Sequence, residues 1–286
     1  MIYSNSQKAN IEFFPDGTVR IKNMTNVSQN KITWQYENDA ELFQIYSLVR
    51  HIQKKCKNEN IELYIPYLPN ARMDRVKSDD EVFTLKYFAE IINSLGLKNV
   101  SILDAHSNVS LGVIDNVKNI VPQKYIFDCL QKVKSQMNSD NLVIYFPDEG
   151  ASKRYADLLQ GYQTCFGIKK RDWATGEIKG LSVFGLDSAD ALRGKAVLMI
   201  DDICSYGGTF FYSSKALKEL GAEEIYSYTT HTEQSIFDSD RGVYLKALET
   251  GMVKKHYTTN SIFNRESDYI EVIDCIMSRD NDYIMF

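Results

Sequence analysis

The chain has 286 residues, of which 44% are hydrophobic and 25% charged, and Lys+Arg 33 against Asp+Glu 38 leave a formal net charge of -5. At roughly 150 residues per domain this length suits two domains or one large one, and 18 Tyr and 14 Phe against 15 Gly and 5 Pro exclude a disordered or collagen-like chain. The acidic balance excludes a general attraction to nucleic acid or to an anionic membrane, so any basic function has to be local.

In chain order, the first element predicted is a hairpin, with strands over 11–14 and 19–22 around Asp16-Gly17, a two-residue turn signal. Short β-branched apolar runs then alternate with helical periodicity. Strands are predicted over 61–65, 99–103, 142–146, 163–166, 197–200 and 225–228, and helices over 40–55, 82–95, 126–137, 151–159 and 209–220. This alternation is the pattern of an α/β protein with mostly parallel strands. The polar stretch Asn138-Ser139-Asp140-Asn141 lies near the midpoint, which predicts domains over 1–140 and 141–286.

Five cysteines, Cys56, Cys129, Cys165, Cys204 and Cys275, are widely separated and form no C-x-x-C pair. They read as reduced thiols of a cytoplasmic protein. The first residues hold no apolar core of signal-peptide length, and no window approaches the roughly 18 apolar residues of a membrane span. The sequons at Asn26 and Asn108 are therefore chance matches, and neither a membrane nor a nucleic acid is expected as a partner.

The most informative segment runs from Val197 through Ile200-Asp201-Asp202-Ile203-Cys204-Ser205-Tyr206-Gly207-Gly208-Thr209. An apolar strand delivers two adjacent carboxylates, and a Gly-Gly-Thr turn then opens a helix. Carboxylates accept hydrogen bonds from vicinal sugar hydroxyls or help to hold a divalent cation. The bare N–H groups and the Thr hydroxyl at a helix start suit an anion such as phosphate.

This segment resembles the phosphoribosyl-binding loop shared by type I phosphoribosyltransferases and ribose-phosphate pyrophosphokinases. Ile65-Pro66-Tyr67-Leu68-Pro69-Asn70-Ala71-Arg72-Met73-Asp74-Arg75 is similar to the ATP-binding stretch of the pyrophosphokinases. Leu103-Asp104-Ala105-His106 resembles their histidine-bearing strand end, and Pro147-Asp148-Glu149-Gly150 their Pro-Asp-x-Gly-Gly loop. The resemblance runs, with gaps, from about Phe14 to the C-terminus, with the motifs in family order.

It implies two tandem phosphoribosyltransferase-like domains, each a mostly parallel sheet flanked by helices, with ATP on the first and the ribosyl acceptor on the second. By position, Phe14, Asp16, Arg72, Asp74, Arg75 and His106 correspond to the ATP site, and His106 and Asp148 to the site of Mg2+ as cofactor. Asp201, Asp202, Ser205, Tyr206, Gly207, Gly208 and Thr209 correspond to the ribosyl-phosphate site, and Lys170 with Arg171 to the catalytic cations. The activity implied is transfer of the diphosphoryl group of ATP to the C1 hydroxyl of ribose 5-phosphate. Phe14 would complete a neighbour's site, which implies a homo-oligomer, dimer or hexamer.

The chain departs from the family where it reads Ser205-Tyr206 in place of Asp-Thr, and this opens the alternative of a larger acceptor such as ADP-ribose. Met73, Thr18, Asp80 and the early second cation Arg171, ahead of Asp172 and Trp173, are further departures. A phosphoribosyltransferase and a non-catalytic regulatory member of the family are the remaining alternatives.

Overall fold

The computed structural model describes residues 1–22, 31–56, 60–139, 141–171, 178–188 and 190–276. The chain divides into two compact units, one of Met1–Val121 with Asp274–Phe286, the other of Pro122–Ile273.

In the first unit, β1 (Ile2–Ser4), β2 (Gln7–Lys8), β3 (Asn10–Phe13), β4 (Val19–Lys22) and β5 (Lys31–Trp34) precede α1 (Glu41–Cys56). There follow β6 (Glu62–Ile65), α2 (Thr84–Ser94), β7 (Asn99–Leu103), α3 (Asn108–Val113) and β8 (Val117–Ile120). The sheet order is β2-β1-β5-β6-β7-β8, parallel from β5 to β8 and antiparallel at β1 and β2, while β3 and β4 pair separately. Ile45, Leu48, Val49 and Ile52 of α1 recur at helical spacing and bury one face against Leu63, Val100 and Ile102.

In the second unit the elements are α4 (Gln123–Gln136), β9 (Leu142–Phe146), α5 (Glu149–Tyr155) with a 3-10 turn over Ala156–Leu159, β10 (Gln163–Arg171) and β11 (Ile178–Phe184). β12 (Ala196–Cys204), α6 (Gly208–Glu219), β13 (Glu224–Thr232), α7 (Val243–Glu249), β14 (Lys255–Thr259) and β15 (Ile270–Ile273) complete it. The order is β11-β10-β9-β12-β13-β14-β15, with only β10 and β11 antiparallel. The two parallel-dominated sheets flanked by helices are the α/β architecture expected of the sequence. Cys129, Cys165, Cys204 and Cys275 are free and buried. Among the described residues no helix is long and apolar enough to cross a membrane.

The division falls between Val121 and Pro122 rather than near residue 140. Side-chain bonds from the 123–138 segment explain why. Lys132 Nζ pairs with Glu271 at 2.6 Å, Tyr257 donates to Gln136 Oε1 at 3.1 Å, and the Asn138 amides donate to the Glu224 carboxylate at 2.8 and 3.0 Å. The return of the chain to the first unit is marked by Tyr64, whose hydroxyl donates to Cys275 O at 3.4 Å.

The N-terminal hairpin also differs from expectation: its connection is Phe14 to Thr18 rather than a two-residue turn. The Asp16 carboxylate accepts from Thr18 N at 2.9 Å and Thr18 Oγ1 at 2.7 Å, and Phe14 N donates to Thr18 O at 2.9 Å. These bonds close a wider loop, with Gly17 at φ +83°.

Candidate active site

In open α/β sheets ligands bind beyond the carboxyl ends of strands, where the order reverses. In the second unit that crevice lies between β9 and β12. Chain order runs outward from β9 to β10 on one side, and from β12 to β13 on the other. Asp148 follows β9, while Asp201 and Asp202 lie near the end of β12 and are followed by the loop 205–207. One strand pair thus brings together the sequence-predicted residues Asp148, Asp201, Asp202, Ser205, Tyr206, Gly207, Gly208 and Thr209.

Asp148 caps α5, accepting from Ala151 N at 3.0 Å. Asp201 Oδ1 accepts from Asp202 N at 2.9 Å, and Asp202 Oδ2 lies 3.0 Å from Arg154 Nη1. Burial holds the Asp201 carboxyl well above the usual carboxylate range, and the charges of Asp202 and Asp148 push it the same way. The cluster thus has more carboxylates than Arg154 can neutralise. The donors are all oxygens, which suits magnesium. A magnesium ion keeps waters and substrate phosphates in its shell, so one or two carboxylates suffice. Among the described residues no group of three or more His, Cys, Asp or Glu is placed to hold a metal ion by itself.

The loop after β12 is built by contacts that the motif alone did not disclose. Ser205 Oγ donates to Glu233 Oε2 at 2.6 Å and lies 3.1 Å from Ser235 Oγ. The Arg241 guanidinium sits over the Tyr206 ring, 4.2 Å from its centroid. Gly207 has φ +75°, and a Cβ there would collide with Tyr244 Cβ, so this glycine is required both by conformation and by packing. At Gly208 the same position is open space. Phe211 N donates to Gly207 O at 2.9 Å as the first helical bond, so the N–H groups of the first turn of α6 are left for a ligand. No described residue engages the Thr209 hydroxyl.

Glu233, Ser235, Arg241 and Tyr244 were missed in the sequence. They lie 28 to 39 residues beyond Ser205 and reach the loop only through the crossover from α6 to β13 and α7. No local signal could have linked them to the loop.

In the first unit, 66–75 follows β6 and His106 follows β7, so Arg72, Asp74, Arg75 and His106 extend from adjacent strand ends. Asp104 has φ +50°, and Ala105 N donates to Asn119 Oδ1 at 2.9 Å, which turns the chain toward the half-buried His106. Arg75 Nε lies 3.6 Å from Asp74 Oδ1. Phe14 is exposed, with the Arg20 guanidinium 5.9 Å from its ring centroid. The Asp16 carboxyl is held below its usual range by its bonds from Thr18. His106 belongs to the first unit and Asp148 to the second.

Lys170 and Arg171 close β10, where Lys170 pairs with Gly180 and Arg171 with Ile178 across a register shift. Asp172 and Trp173, which follow Arg171, lie outside the described residues.

No family model matches the chain. A ribose-phosphate pyrophosphokinase of Marinomonas sp. is 30% identical over 183 residues, covering 62% of this chain and 55% of that protein. One from Nitrosomonas europaea is 28% identical over 270 residues, covering 92% of this chain and 80% of the other. Among solved structures, a phosphoribosylpyrophosphate synthetase from Mycobacterium smegmatis superposes with a TM-score of 0.72 at 20% identity, covering 93% of this chain and 86% of its own. With the strand-end carboxylates, the glycine-opened helix and the order of the motifs, this likeness along nine-tenths of the sequence makes the chain similar to the ribose-phosphate pyrophosphokinases.

Proposed function

We propose that the protein is an ATP-dependent diphosphotransferase that converts ribose 5-phosphate to its C1 diphosphate (PRPP) and releases AMP. One observation carries this reading: a cluster of three carboxylates adjoins a glycine-opened helix start at neighbouring strand ends of a single sheet. Asp201 and Asp202 accept hydrogen bonds from the ribose hydroxyls. The N–H groups of the first turn of α6 and the Thr209 hydroxyl hold the 5-phosphate.

Phe14, Asp16, Arg72, Asp74, Arg75 and His106 are assigned to ATP, and Asp148 with His106 to its magnesium. When bound, magnesium supplies positive charge to the polyphosphate oxygens. The C1 oxygen attacks the β-phosphorus, the bond from β-phosphorus to the bridging oxygen breaks toward AMP, and the hydroxyl proton passes to solvent. Lys170 and Arg171 offset the charge that builds on the transferred group. No protein nucleophile is needed, because alignment and charge stabilisation carry phosphoryl transfer. A cytoplasmic location accords with the free thiols.

A second reading, a larger 5-substituted ribose such as ADP-ribose as acceptor, is favoured by Tyr206 beneath Arg241. That pair offers a ring face and a guanidinium beside the loop. Phosphorus NMR of the protein with Mg-ATP and either acceptor tests both. The reading expects AMP resonances together with a new C1-diphosphate, and ADP with orthophosphate as the only products would refute it. Replacing Ser205→Asp with Tyr206→Thr should move preference toward ribose 5-phosphate, and an unchanged ratio would count against the second reading.

A further inference from the structure

We propose that His256 is a positioning residue for the ribosyl-phosphate loop, acting through Tyr244 on Gly207 and through Phe210 on the first turn of α6. The inference rests on the reading of that loop as the phosphate cradle.

His256 lies in β14, fully buried. Its Nδ1 is 2.7 Å from Ser227 Oγ, and Ser227 Oγ is 2.6 Å from the Tyr244 hydroxyl. Its Nε2 is 2.9 Å from Thr232 Oγ1, and Thr232 donates to Thr258 Oγ1 at 2.8 Å. Both ring nitrogens are therefore engaged, one by a hydroxyl chain toward α7 and the other by the carboxyl end of β13. Burial depresses the imidazole to about 3, so it stays neutral with one donor and one acceptor nitrogen.

The loop leans on this assembly. Gly207 can approach so closely only because it has no Cβ to meet Tyr244. The Phe210 ring, in the first turn of α6, is 5.3 Å from Tyr244 and 6.1 Å from His256, centroid to centroid. The plane of Tyr244 stands at 88° to that of His256. Rotating Tyr244 would thus shift the surface on which Gly207 rests. The hydroxyl chain to His256 fixes that rotation, and a buried network fully paired in this way specifies one arrangement.

The test uses the full chain. Inorganic phosphate and ribose 5-phosphate are titrated while the amide resonances of Gly207, Gly208 and Thr209 are followed by NMR, and ATP binding is measured separately. Tyr244→Phe removes only the hydroxyl link, and His256→Phe removes both nitrogens. Each variant should bind ribose 5-phosphate about tenfold more weakly, as expected for one broken buried link, with ATP affinity unchanged. The double variant should be no weaker than either single one. A folded Tyr244→Phe with wild-type affinity for ribose 5-phosphate would overturn the inference, and so would losses that multiply in the double variant. If phosphate leaves the amides of 207–209 unmoved in the wild type, the cradle reading itself fails and the inference with it.

Discussion

Asp201 sits where the proposed function and stability oppose each other. Its folded-state carboxyl titrates above the ordinary value of 3.8, through burial first and then Asp202 and Asp148. A raised acid contributes stability below the unfolded value, and that contribution is lost as pH rises. At neutral pH the ligand-free protein therefore carries an unfavourable group. Asp201→Asn is expected to raise Tm while abolishing turnover, as scanning calorimetry and an AMP assay would show. Wild-type activity in that variant would refute its role. Glu233 provides a second test at this scale, because Ser205 hands its hydroxyl to that carboxylate rather than to a ligand. Glu233→Gln should strengthen phosphate binding by roughly tenfold at low salt, measured by calorimetric titration; equal affinity would show that the carboxylate does not act on the loop.

At the scale of elements, the turn from β12 into α6 depends on a glycine that packs against α7. Gly207→Ala meets both the positive φ and the Tyr244 contact, so it should cost about 1–3 kcal/mol in urea unfolding and remove acceptor binding. The strands β13 and β14 give a pH prediction. His256, lowered to about 3, stays uncharged in the folded chain but takes a proton near 6.5 once unfolded. Stability should thus fall as pH drops from about 6.5 toward 3, by at most roughly 1.4 kcal/mol per unit. The His256 ring resonances should show no titration step between those values.

These same strands explain how far the sequence could be read. The apolar runs 99–103 and 142–146 coincide with β7 and β9, because parallel strands covered on both faces read as continuous hydrophobic stretches. β13 was expected to stop at Tyr228, yet it continues buried through Thr229, Thr230, His231 and Thr232. Those polar side chains pair with one another and with β14, for instance Thr229 Oγ1 with Thr232 Oγ1 at 2.8 Å. A strand whose polar groups are satisfied by its neighbours has no apolar signature, so β14, Lys255–Thr259, was missed for the same reason. The loop 205–209 was legible because its chemistry is contiguous, whereas Glu233, Arg241 and Tyr244 reach it only through tertiary contacts.

For the molecule as a whole, the net charge of -5 means that the proposed polyphosphate site would rely on a few local cations. Phe14 is exposed, and if it completes a neighbour's nucleotide site, as the proposed function implies, assembly is part of the activity. Mixing Phe14→Ala protomers with Lys170→Ala protomers should restore roughly a quarter of the wild-type rate if subunits exchange at random. Activity that stays at zero in the mixture, with oligomers confirmed by sedimentation, would place both residues within one protomer's site.

The most direct measurement follows the β-phosphorus. The protein is incubated with magnesium and ATP labelled at that atom, with ribose 5-phosphate, with ADP-ribose, or with neither, and the products are separated by chromatography. The account predicts that AMP forms only when an acceptor is present, one for each acceptor consumed, with the label retained on the sugar product. AMP released equally without acceptor, or label recovered only in ADP or free phosphate, would contradict it.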